Sequence, residues 1–246
     1  MATSATLLDL DRAAAYVVLM TDLLDRPVWH ALAGRQAEFA VGGGTARRFL
    51  PEVAPFIACE DDGDETLAGV AGLLDGGGDT ALFLQRGAVP MPPGCVRLDG
   101  GVGVQMVGEE FEVTAPPPGI VALSDSDAAE RLALATLTEP GPFRARTHEL
   151  AQFWGVKDEE GRLLAMAGER LKLPGMSEVS GVCTHPDARG RGYAALLSRH
   201  VASQIVQRGE VPFLHAWATN EGALRLYERL GFRVRCEVEA LVVGRI

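Results

Sequence analysis

The sequence predicts an α/β protein, and three observations carry that prediction. Short apolar runs alternate with stretches of helical spacing through the second half of the chain. A proline-rich break, Ala115-Pro116-Pro117-Pro118-Gly119, divides the 246 residues into two parts. A glycine-rich loop joins a strand to a long helix at residues 182–194. Three prolines in a row form a stiff extended segment suited to a connection. The expected division is therefore an N-terminal α/β lobe over 1–115 and a second domain over 120–246.

Downstream of the break the elements follow one another clearly. Ile120 to Leu123 is a short apolar strand. Ser124-Asp125-Ser126-Asp127 supplies N-cap chemistry for the helix AAERLALATL, which Pro140-Gly141-Pro142 stops. QFWGVKDEEGRLLAMAGERLKL reads as two strands around the turn Asp158–Gly161. Pro174-Gly175 turns the chain into a third strand, SEVSGVCTH. A helix from about Gly192 to Gln207 ends at Gly209, as a C-cap glycine does. VPFLHAW is a strand, NEGALRLYERL a helix, and FRVRCEVEALVV one or two final strands.

Upstream the signals are weaker. Helical spacing runs through Arg12 to Leu24, and strands are expected at Phe56–Cys59, Thr66–Leu74, Ala81–Gln85 and Val102–Val107. Gly42-Gly43-Gly44 and Gly76-Gly77-Gly78 lack the strand, helix and lysine of a phosphate-binding P-loop, so they read as loop glycines. Trp29-His30 and Arg47-Arg48 stand out, but their spacing names no chemistry.

Composition narrows the function classes. A net charge of −10 lacks the basic face that nucleic-acid binding requires. It suits a cationic partner such as an amine better. No run of about 18 apolar residues could span a membrane. The start carries Asp9 and Asp11 ahead of its apolar stretch, unlike a secretion leader. A cytoplasmic location is the expectation. Cys59, Cys95, Cys183 and Cys236 are scattered with no metal-ligand spacing, so no metal is expected and the thiols read as buried hydrophobes.

The chemistry concentrates in Val182-Cys183-Thr184-His185-Pro186-Asp187-Ala188-Arg189-Gly190-Arg191-Gly192-Tyr193-Ala194. A helix N-terminus leaves N–H groups unpaired and carries partial positive charge, so it favours phosphate oxygens. Gly190 and Gly192 allow close backbone approach, and Arg189 and Arg191 add charge. Arg189-x-x-Gly192-x-Ala194 after a Val-x-Thr-His-Pro strand end resembles the acetyl-CoA-binding motif of the GNAT superfamily of N-acetyltransferases. A second segment in the expected place, Asn220 through Tyr227 to Gly231-Phe232, resembles that family's penultimate helix. The resemblance covers about Ile120 to the C-terminus. Within the superfamily the chain looks similar to the branch of glycine N-acyltransferase-like proteins.

That resemblance implies a mixed, mostly antiparallel central sheet flanked by helices, with a degenerate GNAT-like N-terminal lobe. It implies that Val182, Cys183 and Thr184 pair with pantetheine through their backbone. Arg189, Gly190, Arg191, Gly192, Tyr193 and Ala194 would hold the pyrophosphate, and Asn220 would meet the pantetheine arm. Tyr227 would protonate the leaving thiolate of the cosubstrate, acetyl-CoA. Glu178 matches a position from which some members extend a catalytic Glu, with a water chain as the alternative base and Glu169 as a second candidate. His185 reads as structural, while His215 is placed to face the acceptor. His148, with Arg144 and Arg146, falls where the family builds its acceptor wall. Cys183 is not expected to be a nucleophile, because direct transfer needs no acyl-enzyme.

The expected reaction is acetyl transfer to a primary amine of a small molecule or amino acid, by a monomer or homodimer. The competing readings are a CoA-binding regulatory protein without turnover and a protein N-acetylase. The 1–115 lobe shows no second CoA loop, so it is expected to shape the acceptor pocket or a dimer interface.

Overall fold

A computed structural model describes residues 22–246 apart from Gly77, Glu110, Thr114, Pro116 and Pro117. All but the last residues of the helix expected at 12–24 lie outside that set, as do two of the three prolines at the break. A first sheet of three strands, β1 (Ala40–Gly43), β2 (Ala46–Phe49) and β3 (Ile57–Cys59), is antiparallel throughout. The second sheet has eight strands: β4 (Thr80–Gln85), β5 (Cys95–Val107), β6 (Val121–Leu123), β7 (Phe153–Lys157), β8 (Leu163–Leu173), β9 (Met176–Thr184), β10 (Val211–Trp217) and β11 (Arg233–Arg245). Their order is β4-β11-β5-β10-β9-β8-β7-β6, and only β9 and β10 run parallel. The sheet is thus mixed and mostly antiparallel.

β5, from the first half of the chain, lies between β10 and β11 from the second. Strands from both sides of residues 115–119 therefore share one sheet. The final segment forms a single strand of 13 residues, pairing with both β4 and β5.

Among the described residues, five α-helices complete the framework: α1 (Pro27–Leu32), α2 (Asp64–Gly72), α3 (Ala128–Thr138), α4 (Tyr193–Gln207) and α5 (Glu221–Leu230). Side-chain alternation along β8 decides which helix covers which face. Ala165 and Ala167 meet Leu197, Val201 and Ile205 of α4, whereas Met166 meets Leu134 and Ala135 of α3. Each fully buried aliphatic side chain of α4 contributes about 1.5–3 kcal/mol to this packing. Trp29 and Leu32 of α1 pack with Leu171, Phe213 and Val238, so the N-terminal residues share the core of the large sheet.

The segment expected as a strand at Thr66–Leu74 is a helix instead. Gly63 caps it, Asp64 and Glu65 occupy its first turn, and Thr66, Leu67, Val70 and Ala71 form the buried face. Acidic residues at a helix N-terminus and 3.6-residue spacing outweigh the β-propensity of a short apolar run. In the 3-10 turn Asp125–Asp127 that leads into α3, the Ser124 N–H donates to Asp127 Oδ2 at 2.7 Å in a capping box.

Arg47 lies over the Trp29 ring, 5.6 Å from its centroid, and Arg48 pairs with Asp79. Both conspicuous spots of the first half are structural contacts. No helix among the described residues is long and apolar enough to cross a membrane.

Candidate active site

The parallel ladder of β9 and β10 is short. It joins Met176–Glu178 to Val211–Phe213 and then stops. Beyond it, β9 continues along β8 to Thr184 while β10 continues along β5 to Trp217. The two strands part like a fork. Gly181 adopts φ +63°, and a Cβ there would stand 2.8 Å from Phe153 Cε1, so glycine lets β9 bend away. A cleft of about 1120 Å³ occupies the fork.

One end of the cleft is built for an anion. Gly192 is the N-cap of α4 in the left-handed conformation, and no side chain caps the helix. The first-turn N–H groups of α4 therefore have no side-chain cap of their own. Gly190 and Gly192 have φ of +78° and +79°, and a Cβ on either would meet nothing within 4 Å. Glycine is demanded here by backbone conformation rather than by crowding. Arg189 is exposed on this rim, while the Arg191 guanidinium turns back to the Asp187 carbonyl at 3.4 Å. These features suit the pyrophosphate of CoA: open N–H donors, an electropositive helix end and an exposed guanidinium.

The cleft walls gather most of the expected residues. Val182, Cys183, Thr184, Arg189, Gly190, Gly192, Tyr193, Ala194, Asn220 and Tyr227 all line it; Arg191 and Glu178 do not. Asn220 caps α5, its Oδ1 accepting from the Ala223 N–H at 3.1 Å, which leaves Nδ2 for a ligand. Burial pushes the Tyr227 phenol up to about 12, opposed only by the neighbouring Ser198 hydroxyl. Burial likewise pushes the Cys183 thiol to about 11, so it is no thiolate nucleophile at neutral pH.

Glu178 sits at the apex of the fork, fully buried. Its Oε2 accepts from Arg170 Nε at 2.8 Å and its Oε1 from Arg170 Nη2 at 2.6 Å. His215 Nδ1 reaches the same Oε1 across the fork at 2.7 Å. Burial pushes this carboxyl upward, but the Arg170 charge and the hydrogen bonds from His215 and Arg170 outweigh it and hold it at about 2. The other ring nitrogen, His215 Nε2, lies 3.0 Å from Gln105 Nε2. Arg235 donates to Gln105 Oε1 and Gln105 Nε2 donates to the Leu24 carbonyl, which fixes the amide orientation. By that network His215 is assigned its proton on Nδ1, and both ring nitrogens are engaged.

The remaining candidates stand apart from the cleft. Glu169 pairs with Arg208 at 2.7 Å. His185 Nδ1 caps its own turn, accepting from the Asp187 N–H. His148 Nδ1 contacts the Ala145 carbonyl, and Arg146 pairs with Glu149 and Glu52. None of these lines the cleft, nor does Arg144. Sequence reasoning missed Arg170 and the whole wall from the first half: Phe56, Leu82, Leu84 and Asp99–Gly103. The run Asp99-Gly100-Gly101-Val102-Gly103 was the available signal, since glycines in a strand mark close approach by another group. Among the described residues, no group of three or more His, Cys, Asp or Glu could hold a metal ion.

A strand fork facing an uncapped helix N-terminus makes an anion-binding cleft, and the comparisons give the family of the chain. The FR47-like protein family model matches residues 155–241. An acetyltransferase of the GNAT family from Novosphingobium aromaticivorans is 45% identical, with a TM-score of 0.85 over 91% of this chain and 98% of that one. The chain belongs to the GNAT family of acetyltransferases. A mycothiol acetyltransferase of Mycobacteroides abscessus is 34% identical over 109 residues, which cover 44% of this chain and about a third (34%) of that relative. A GCN5-related N-acetyltransferase from Kribbella flavida shares the fold at 16% identity and a TM-score of 0.61, over 91% of this chain and 95% of that one.

Proposed function

We propose that this protein transfers an acetyl group from acetyl-CoA to the primary amine of a small molecule or amino acid, by direct attack on the thioester. The observation that carries the reading is the single cleft with an uncapped α4 N-terminus at one end and the protonated Tyr227 phenol in its wall. The mycothiol acetyltransferase relative favours a small-molecule acceptor.

Acetyl-CoA supplies the activated acetyl group, and the chain supplies the rest. The α4 amides and Arg189 hold the pyrophosphate. Backbone groups of Val182–Thr184, free of β10 where the fork opens, pair with the pantetheine arm, assisted by Asn220. As the N–C bond forms and the C–S bond breaks, the amine nitrogen gives up a proton to cleft water and the sulfur gains one from Tyr227, whose phenolate then takes a proton back from that water. The Glu178 carboxylate lies behind the cleft wall and holds its charge too firmly to be an effective direct base. In this reading it positions Arg170 and His215, and the amine proton leaves through water in the cleft.

The test is calorimetric titration with acetyl-CoA followed by thiol release against amines, amino acids and basic peptides. The reading expects binding and release that depends on a small amine. Release with peptides alone points to a protein N-acetylase. Binding without release from any acceptor matches the regulatory alternative, and no binding contradicts the reading.

A further inference from the structure

The cleft wall holds one cation that the transfer chemistry leaves unexplained. Arg170 projects from β8 and lines both the cleft and a recess of about 10 Å³, the size of one water, beside Pro142 and Gly181. The residue is only 8% exposed. Nε and Nη2 form the two-pronged contact with Glu178 on the interior side. Nη1 makes no hydrogen bond to any described residue. The Phe56 ring, 4.8 Å from Arg170 Cζ, stacks on the guanidinium and holds its plane. A planar guanidinium clamped on one edge and one face keeps a fixed donor for whatever enters the cleft.

Its neighbours sharpen the specificity. Leu82 and Val242 make the adjoining wall apolar, and the exposed Asp99 lines the same cleft with no ion pair among the described residues. A charged donor nine-tenths out of water gains most from an anionic oxygen. We infer that Arg170 Nη1 binds a carboxylate of the acceptor, so that the preferred acceptor is an amino-acid-like amine rather than a plain amine. This rests on the acetyltransferase reading and adds the acceptor's second functional group to it. Arg170 is a specificity residue here; it takes no part in the bond changes.

The test compares acids with their decarboxylated counterparts: glycine with methylamine, leucine with isopentylamine, phenylalanine with phenethylamine, plus the matching amino-acid amides. The wild-type protein should favour the acid in kcat/KM by about 10- to 100-fold over both amine and amide. Replacing Arg170 alone leaves Glu178 as an uncompensated buried charge, so the informative variant is Arg170→Met with Glu178→Gln. Its acid-to-amine ratio should fall to within about threefold of unity, a readout internal to each protein.

Should that variant not fold, titration of wild-type protein and CoA with N-acetyl amino acids against N-acetyl amines gives the same answer without turnover. Tighter binding of the acids supports the inference. Equal binding, a plain amine preferred, an amide equal to the acid, or no acid of any pair bound or acetylated overturns it. Acetyl-CoA binding in the same calorimeter separates the two claims, because its failure removes the acetyltransferase reading itself.

Discussion

Tyr227 and Cys183 face one cleft, and burial moves them the same way, to about 12 and about 11. A thiol in water titrates at about 8.5, which would make proton transfer from a phenol at about 12 uphill by about 5 kcal/mol. Partial desolvation of the departing thiolate in the cleft raises its proton affinity and narrows that gap. Tyr227→Phe should therefore lower kcat by about 10²-fold while leaving the acetyl-CoA dissociation constant unchanged, as steady-state kinetics and calorimetry can check. Glu178 carries a second prediction. Its carboxyl falls from 4.5 to about 2 on folding, so the folded state binds fewer protons between those values. The stabilisation is fully present above about pH 4.5 and is lost as pH falls towards about 2. Glu178→Gln leaves Arg170 unpaired and should cost about 3–5 kcal/mol near neutrality. Thermal melts across pH should show a flatter acid limb in the variant than in the wild type.

At the scale of elements, the ends of α4 provide a matched comparison. Gly192 at its start and Gly209 just beyond its end have φ of +79° and +77°, and a Cβ on either meets open space. Alanine at either position should cost about 1–2 kcal/mol of stability. Only Gly192→Ala should weaken acetyl-CoA binding, by about tenfold, because only that glycine sets the amides facing the cleft. Equal affinities in the two variants would contradict the assignment. The same elements explain what the sequence made legible. The loop at 189–194 and the helix from Asn220 are contiguous, so local rules of capping and spacing place them. Thr66–Leu74 misleads because its apolar residues fit either period until Gly63, Asp64 and Glu65 are weighed. Arg170 and Glu178 meet only through register shifts in the β8–β9 hairpin, which single-sequence patterns do not encode.

For the whole molecule, the consequential feature is β5. It pairs with β10 over Gly103–Val107 and with β11 over Cys95–Val107, filling the sheet between two strands of the second half. Its position depends on contacts more than a hundred residues apart in sequence, which is why no motif announces it. We propose that the 1–115 segment is an integral part of the catalytic unit and supplies the acceptor-side wall. Residues 120–246 expressed alone should fail to unfold cooperatively, since β10 and β11 lose the strand between them and the apolar faces of both are uncovered. Cooperative melting of that fragment would show that the second half folds by itself.

The most direct test of the acetyl-transfer account is the stoichiometry of one reaction. Free thiol and acetylated acceptor would be measured together, by thiol titration and mass spectrometry, with acetyl-CoA and the best amine of the panel. The account predicts equal amounts of both products, forming only when protein, acetyl-CoA and amine are all present. Thiol released without acetylated amine, or no release from any amine despite bound acetyl-CoA, would contradict it.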